Sequence, residues 1–197
     1  MSKIIKILLA VLSPVFLSAE FSPRDACNYI FDEYPPIYYP PSIHCLTGVS
    51  ALGDSVELED GSVWKISLYD GYKALRWHSD DPIMITQNHQ WFSKFNYRIV
   101  NQNTGTCLEA NLFLGPLEHG QYTLYITSID RAAGELEITN GWRESIHWEI
   151  SAGDIAAFQN WVLGDAVIIG QNSGWDSDCE ALLINVNLNA SVRAKQF

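Results

Sequence analysis

Asp176, Asp178 and Glu180 alternate along the chain, so on a strand their carboxylates would share one face and could hold Ca²⁺. The glycine-containing loop of a calcium motif is missing around them, so a solvated strand face is the favoured reading and no metal site is expected. His78, Asp80 and Asp81 are close in sequence, whereas His44, His89, His119 and His147 are scattered and no pair has metal-ligand spacing. The chain has no nucleophile elbow, no papain-like cysteine context and no phosphate-cradling glycine loop. These residues therefore argue against an enzyme, leaving a hydrolase with an unrecognised site as the alternative, and they imply no cofactor. The four cysteines, Cys27, Cys45, Cys107 and Cys179, form an even set that suggests two disulfides in an exported chain. Three pairings are possible and spacing does not choose among them. The favoured arrangement joins Cys27 to Cys45 and Cys107 to Cys179, with buried thiols as the alternative.

A different chemistry is offered by Trp91 and Trp175. Each follows a polar loop, Gln87-Asn88-His89-Gln90 in one case and Gln171-Asn172-Ser173-Gly174 in the other. A tryptophan at a loop edge supplies a flat apolar face, and neighbouring amides supply directional hydrogen bonds, a combination suited to sugars and peptides. Trp91, Trp175, Gln87, Asn88, Gln171 and Asn172 are accordingly the expected ligand-binding residues. The competing expectation is that each indole plugs a barrel end or a module interface.

The elements that must position these loops come twice. Residues 63–112 laid over 147–196 without a gap match Trp64 with Trp148, Asp70 with Asp154, Trp77 with Trp161, Asp81 with Asp165, Asn88 with Asn172, Trp91 with Trp175 and Asn101 with Asn185. Further towards the N-terminus the offset changes from 84 to 80, aligning Thr47 with Thr127, Glu57 with Glu137 and Gly61 with Gly141. Self-similarity of this kind predicts two copies of one module, over 44–112 and 124–197 with 113–121 as connector. Alternation in Val56–Glu59 and Val63–Ser67, the Asp60-Gly61 turn between them, and the Asn103-Thr104-Gly105 hairpin signal predict β structure. The expected fold is all-β: two tandem small barrels, SH3-like, or open sandwiches, with about five short strands each. Trp64, Trp148, Trp77 and Trp161 are expected in the core, and one helical turn is expected in each copy, within 70–77 and 154–161.

Residues 1–19 read as a signal peptide, with Lys3 and Lys6 before an apolar run and cleavage near Ala19. Residues 20–43 form an extended Pro/Tyr-rich arm, because Tyr34-Pro35-Pro36-Ile37-Tyr38-Tyr39-Pro40-Pro41 cannot be helix or central strand. No other segment is long and apolar enough to span a bilayer, so none is expected in the mature chain. Net charge is −11, and loss of Lys3 and Lys6 takes it to −13. That balance excludes nucleic acid and anionic lipid as natural partners.

The blocks Asp60-Gly61-Ser62-Val63-Trp64-Lys65-Ile66-Ser67, Ile85-Thr86-Gln87-Asn88 with Trp91-Phe92-Ser93, and Tyr97-Arg98-Ile99-Val100-Asn101 with Thr104-Gly105 resemble those of exported proteins of unknown function from chlamydia-like intracellular bacteria. The resemblance implies an exported location and supplies no activity or site residue. The resulting expectation is a periplasmic or secreted, non-enzymatic binding module for a protein or glycan of the cell envelope or host. A structural envelope protein assembling through its arm and disulfides is the alternative.

Overall fold

Short runs in which every second side chain is apolar become strands here, because a strand sends alternate residues to opposite faces. In Ser55–Leu58 and Val63–Ile66 the buried residues are Val56, Leu58, Trp64 and Ile66, while Glu57 and Lys65 face water. The computed structural model describes residues 42–141, 143–174 and 178–197. The expected signal peptide, the expected arm as far as residue 41, Cys27, Trp175 and Asp176 lie outside the described residues.

The chain is all-β. Its first six strands are β1 (Ile43–Val49), β2 (Ser55–Leu58), β3 (Val63–Ile66), β4 (Pro82–Gln87), β5 (Tyr97–Asn101) and β6 (Cys107–Leu114). They pair in the order β1-β2-β3-β6-β5-β4, and β4 returns to β1 with Ile43 opposite Met84. This closes a six-stranded barrel in place of the open sandwich that the sequence also allowed, and closure leaves no exposed strand edge. The remaining strands are β7 (Leu124–Asp130), β8 (Glu135–Thr139), β9 (Ser145–Ile150), β10 (Ala166–Gln171), β11 (Ala181–Asn185) and β12 (Ala190–Gln196). They pair as β7-β8-β9-β12-β11-β10, with β10 also meeting β7. The single turns α1 (Gly71–Ala74) and α2 (Ile155–Phe158) are the α-helices among the described residues.

Trp64 is fully buried, edge-on to Tyr97 at 5.5 Å between ring centroids, and its Nε1–H donates to Ser62 Oγ at 3.0 Å. Trp77 is buried too and donates to Thr106 Oγ1 at 2.7 Å. Trp148 and Trp161 are equally buried, but their indole N–H groups have no acceptor among the described residues. Two buried carboxylates hold the strand ends. Asp81 Oδ2 accepts Asn101 Nδ2–H at 2.6 Å, and Asp165 Oδ2 accepts Asn185 Nδ2–H at 2.7 Å.

The two groups of strands share apolar packing. Ile168, Leu182 and Ile184 join the core of the first barrel, while Val167, Ile169, Ala181 and Leu183 face the second core. All five residues of β11 are therefore buried, as expected for a strand covered on both faces. Beside them β10 runs parallel to β4, with Gln171 opposite Thr86. The two approach so closely that a Cβ on Gly170 would stand 2.5 Å from the Ile85 carbonyl oxygen.

A buried charged cluster also crosses the junction. His44 Nδ1 lies 2.7 Å from Glu59 Oε1, and its Nε2 lies 2.8 Å from the carbonyl oxygen of Ile169. Both partners are acceptors, so both ring nitrogens carry a proton and the ring is an imidazolium. Burial alone would lower its pKa. The Glu59 charge and hydrogen bond outweigh that, together with Asp60 and the Ile169 carbonyl, and raise His44 from 6.5 to about 9. Asp60, beside it, is pushed up from 3.8 to about 6 by burial and by the Glu59 charge, against the pull of His44 and Ser62.

The expected Cys107–Cys179 bridge does not form, and both residues are thiols. Because β4 and β10 run side by side in the same direction, Gln87 and Gln171 end their strands at the same end of the molecule. Cys179 sits at that end. Cys107 pairs with Val100 next to the hairpin at the far end of β5, about 10 Å along the strand. A disulfide needs Cα atoms closer than about 7 Å. Cys107 Sγ instead accepts Arg98 Nε–H at 2.9 Å. The Cys27–Cys45 pairing has one member outside the described residues.

Candidate functional site

The loop between β4 and β5 carries the most exposed aromatic side chains of the described residues. Trp91 is 95% exposed and Phe92 99% exposed. The loop that presents them is itself built firmly. Asn88 N–H donates to the Asn96 carbonyl at 2.8 Å, and Asn88 Nδ2–H reaches the Phe95 carbonyl and Glu109 Oε1, each at 3.0 Å. Asn88 Oδ1 then accepts Gln90 N–H at 3.1 Å. The tip thus projects two rings into water from a base closed by Asn88 and by Asn111, which accepts Asn96 N–H at 2.7 Å and donates to the Lys94 carbonyl at 3.0 Å.

The loop after β10 is closed the same way. Asn172 Nδ2–H donates to the Cys179 carbonyl at 2.7 Å, and Asn172 Oδ1 accepts Gly174 N–H at 2.9 Å. Asn88 and Asn172, expected as ligand-binding amides, hold loop backbone with those amides. Trp91 points to solvent and plugs neither a barrel end nor an interface. Gln87 is half-buried at the end of β4, and Gln171 is exposed at the end of β10.

The parallel β4–β10 pairing brings both loops to one side, where two polar clefts adjoin. One, of about 340 Å³, is lined by Gln87, His89, Asn172, Gly174, Ser191 and the Asp154–Arg193 pair, among others. The other, of about 230 Å³, is lined by Gln87, Asn88, Gln90, Ser93, Phe95, Asn96, Tyr97, Asn189 and Ser191. Gln87 and Ser191 border both. Sequence reading missed Asn96, Asn189 and Ser191, because nothing local shows that the β11–β12 turn folds against the β4–β5 loop.

The charged pair in the first cleft is internally satisfied. Arg193 Nε–H donates to Asp154 Oδ2 at 2.8 Å, and the Arg193 backbone N–H reaches the same oxygen at 2.8 Å. Burial disfavours the Asp154 carboxylate, yet these contacts hold its pKa below the usual value. Tyr97, raised by burial, hydrogen-bonds Ser191 and so links β5 to β12 beneath the second cleft.

Asp178 and Glu180 do not form the expected aligned strand face. The strand begins at Ala181, Asp178 lies in a turn, and Glu180 Oε1 accepts Gln196 N–H at 3.3 Å. Among the described residues no group of three His, Cys, Asp or Glu side chains is arranged to hold a metal ion. Nor is any described helix long and apolar enough to cross a membrane. Compared with known proteins, the chain matches no family model, no curated protein and no solved structure.

Proposed function

We propose that the chain is an exported, non-enzymatic binding protein that recognises a macromolecule of the cell envelope or host through the β4–β5 loop. The observation that carries this is the exposure of Trp91 and Phe92 on a loop whose base is fixed by Asn88. An exposed aromatic pair is costly to solvate and adds nothing to the core, and apolar surface held out in this way marks recognition. Export rests on the leader at 1–19 and on the resemblance to exported proteins of chlamydia-like bacteria. A Cys27–Cys45 bridge fastening the arm belongs to the same reading.

We further read the architecture as two copies of one small SH3-like barrel. Its support is twofold. The pairing order β1-β2-β3-β6-β5-β4 has its parallel in β7-β8-β9-β12-β11-β10. Hydrogen bonds also recur at matched positions: Asp70 Oδ2 accepts Glu109 N–H as Asp154 Oδ2 accepts Arg193 N–H, and Asn88 grips Phe95 as Asn172 grips Cys179. On this alignment Ser62 and Thr106, which satisfy two indoles in the first copy, correspond to Ile146 and Ala190, which cannot.

Co-sedimentation of the chain from residue 20 with purified peptidoglycan tests the function. Binding that disappears when Trp91 and Trp175 are both replaced by Ala supports it. Absence of wild-type sedimentation removes the wall as partner and turns the search to proteins.

A further inference from the structure

The groove beneath the Trp91 loop narrows the ligand class, an inference that rests on reading that loop as the binding site. We propose that it binds an uncharged saccharide, held by the side-chain amides of Gln87, Gln90, Asn96 and Asn189, with a sugar face stacked on the Trp91 ring.

Three observations carry this. First, those four side chains border one cleft, and none of them is engaged by another described residue. Their neighbours Asn88 and Asn172 are committed to loop backbone, so the unengaged amides are a separate set. Each carries two donors and an acceptor, which matches the hydroxyl group, itself donor and acceptor. Second, the cleft bounded by these amides contains no charged side chain, and the charged pair in the adjoining cleft, Asp154 with Arg193, is already neutralised. A charged ligand would lose its hydration there without gaining a counter-charge, and the net charge of −11 repels polyanions from a distance. Third, the first barrel is closed, so it offers no strand edge to which an extended peptide could add. What it offers is a neutral, amide-rich trough bordered by Gln90 and Ser93 of the loop that carries the exposed Trp91 ring.

Asn189 gives the proposal a distinctive test. It comes from the β11–β12 turn, far in sequence from Trp91, and it has a positive φ of 48° that asparagine and glycine tolerate. Asn189→Gly therefore removes the amide while keeping the backbone. Isothermal titration of the chain from residue 20 with tetra-N-acetylchitotetraose, cellotetraose and maltotetraose, and with tetragalacturonate as the anionic control, reads the outcome. At least one neutral tetrasaccharide should bind and the anionic one should not. Asn189→Gly and Gln90→Ala should each weaken binding by about tenfold, the equivalent of losing one or two hydrogen bonds.

Failure of all three neutral tetrasaccharides to bind, tighter binding of tetragalacturonate, or unchanged affinity in Asn189→Gly would overturn the proposal. Peptidoglycan or protein binding that depends on Trp91 while no tetrasaccharide binds would reject the sugar class and leave the loop in place. Sedimentation unaffected by Trp91→Ala would reject the loop itself.

Discussion

A buried indole N–H without an acceptor costs about 1–3 kcal/mol, and this chain carries two among its described residues, on Trp148 and Trp161. Thr106 gives Trp77 its acceptor, and Ala190 stands at the matching place for Trp161. Ala190→Thr should therefore stabilise the chain by about 1 kcal/mol, read as a raised urea midpoint at constant slope. A lowered midpoint would mean that the added methyl overpacks the site. The His44 cluster makes a prediction about pH. The folded-state pKa of His44, about 9, lies above the unfolded value of 6.5, so its contribution is complete below pH 6.5 and is lost as pH rises through 9. Asp60, raised to about 6, acts in the same sense at lower pH: its contribution is present below pH 4 and gone above 6. Thermal melts should thus show stability falling between pH 6.5 and 9.5 by about 3 kcal/mol, and His44→Ala should flatten that fall. A flat wild-type profile across this window would show that the ring is neutral in the folded protein.

At the scale of elements, the close approach of β10 to β4 is the most demanding packing feature. Gly170→Ala would place a methyl 2.5 Å from the Ile85 carbonyl oxygen, a rigid backbone atom. A loss of about 1–3 kcal/mol is expected in denaturant unfolding, as for other overpacked sites. Much of the element layout was legible in the sequence for physical reasons. Alternation around Trp64, the turn chemistry of Asn103-Thr104-Gly105, and strand-ending Asn101 and Asn185 are local signals that tertiary structure had no reason to override. What escaped was set by contacts distant in sequence. His44 looked isolated because Glu59 reaches it only through β1–β2 pairing. Asn88 and Asn172 looked like ligand amides because their loop-closing acceptors, the carbonyls of Phe95 and Cys179, lie seven residues on. The junction did leave one readable trace: in the sequence alignment Leu182 and Ile184 match Arg98 and Val100, which turns an alternating strand into a continuously apolar one. Pairing Cys107 with Cys179 went astray because spacing along a chain says nothing about which end of a hairpin a residue occupies.

Considered whole, the molecule has cores that interlock, since Ile168, Leu182 and Ile184 complete the packing of the first barrel. Calorimetry should show one cooperative transition for the intact chain. Residues 44–112 expressed alone, with that apolar face uncovered, should aggregate or melt without a cooperative transition; an independently folding fragment would show that the shared packing is dispensable. Against this interlocked body the Trp91 loop stands apart, contributing exposed rings and no core. The claim that it exists for recognition is tested most directly by melting and sedimenting the same sample of Trp91→Ala beside wild type. A stability change below about 0.5 kcal/mol is expected, as for an exposed side chain, together with lost binding to peptidoglycan. A destabilised variant, or a stable one that sediments as well as wild type, would contradict that claim.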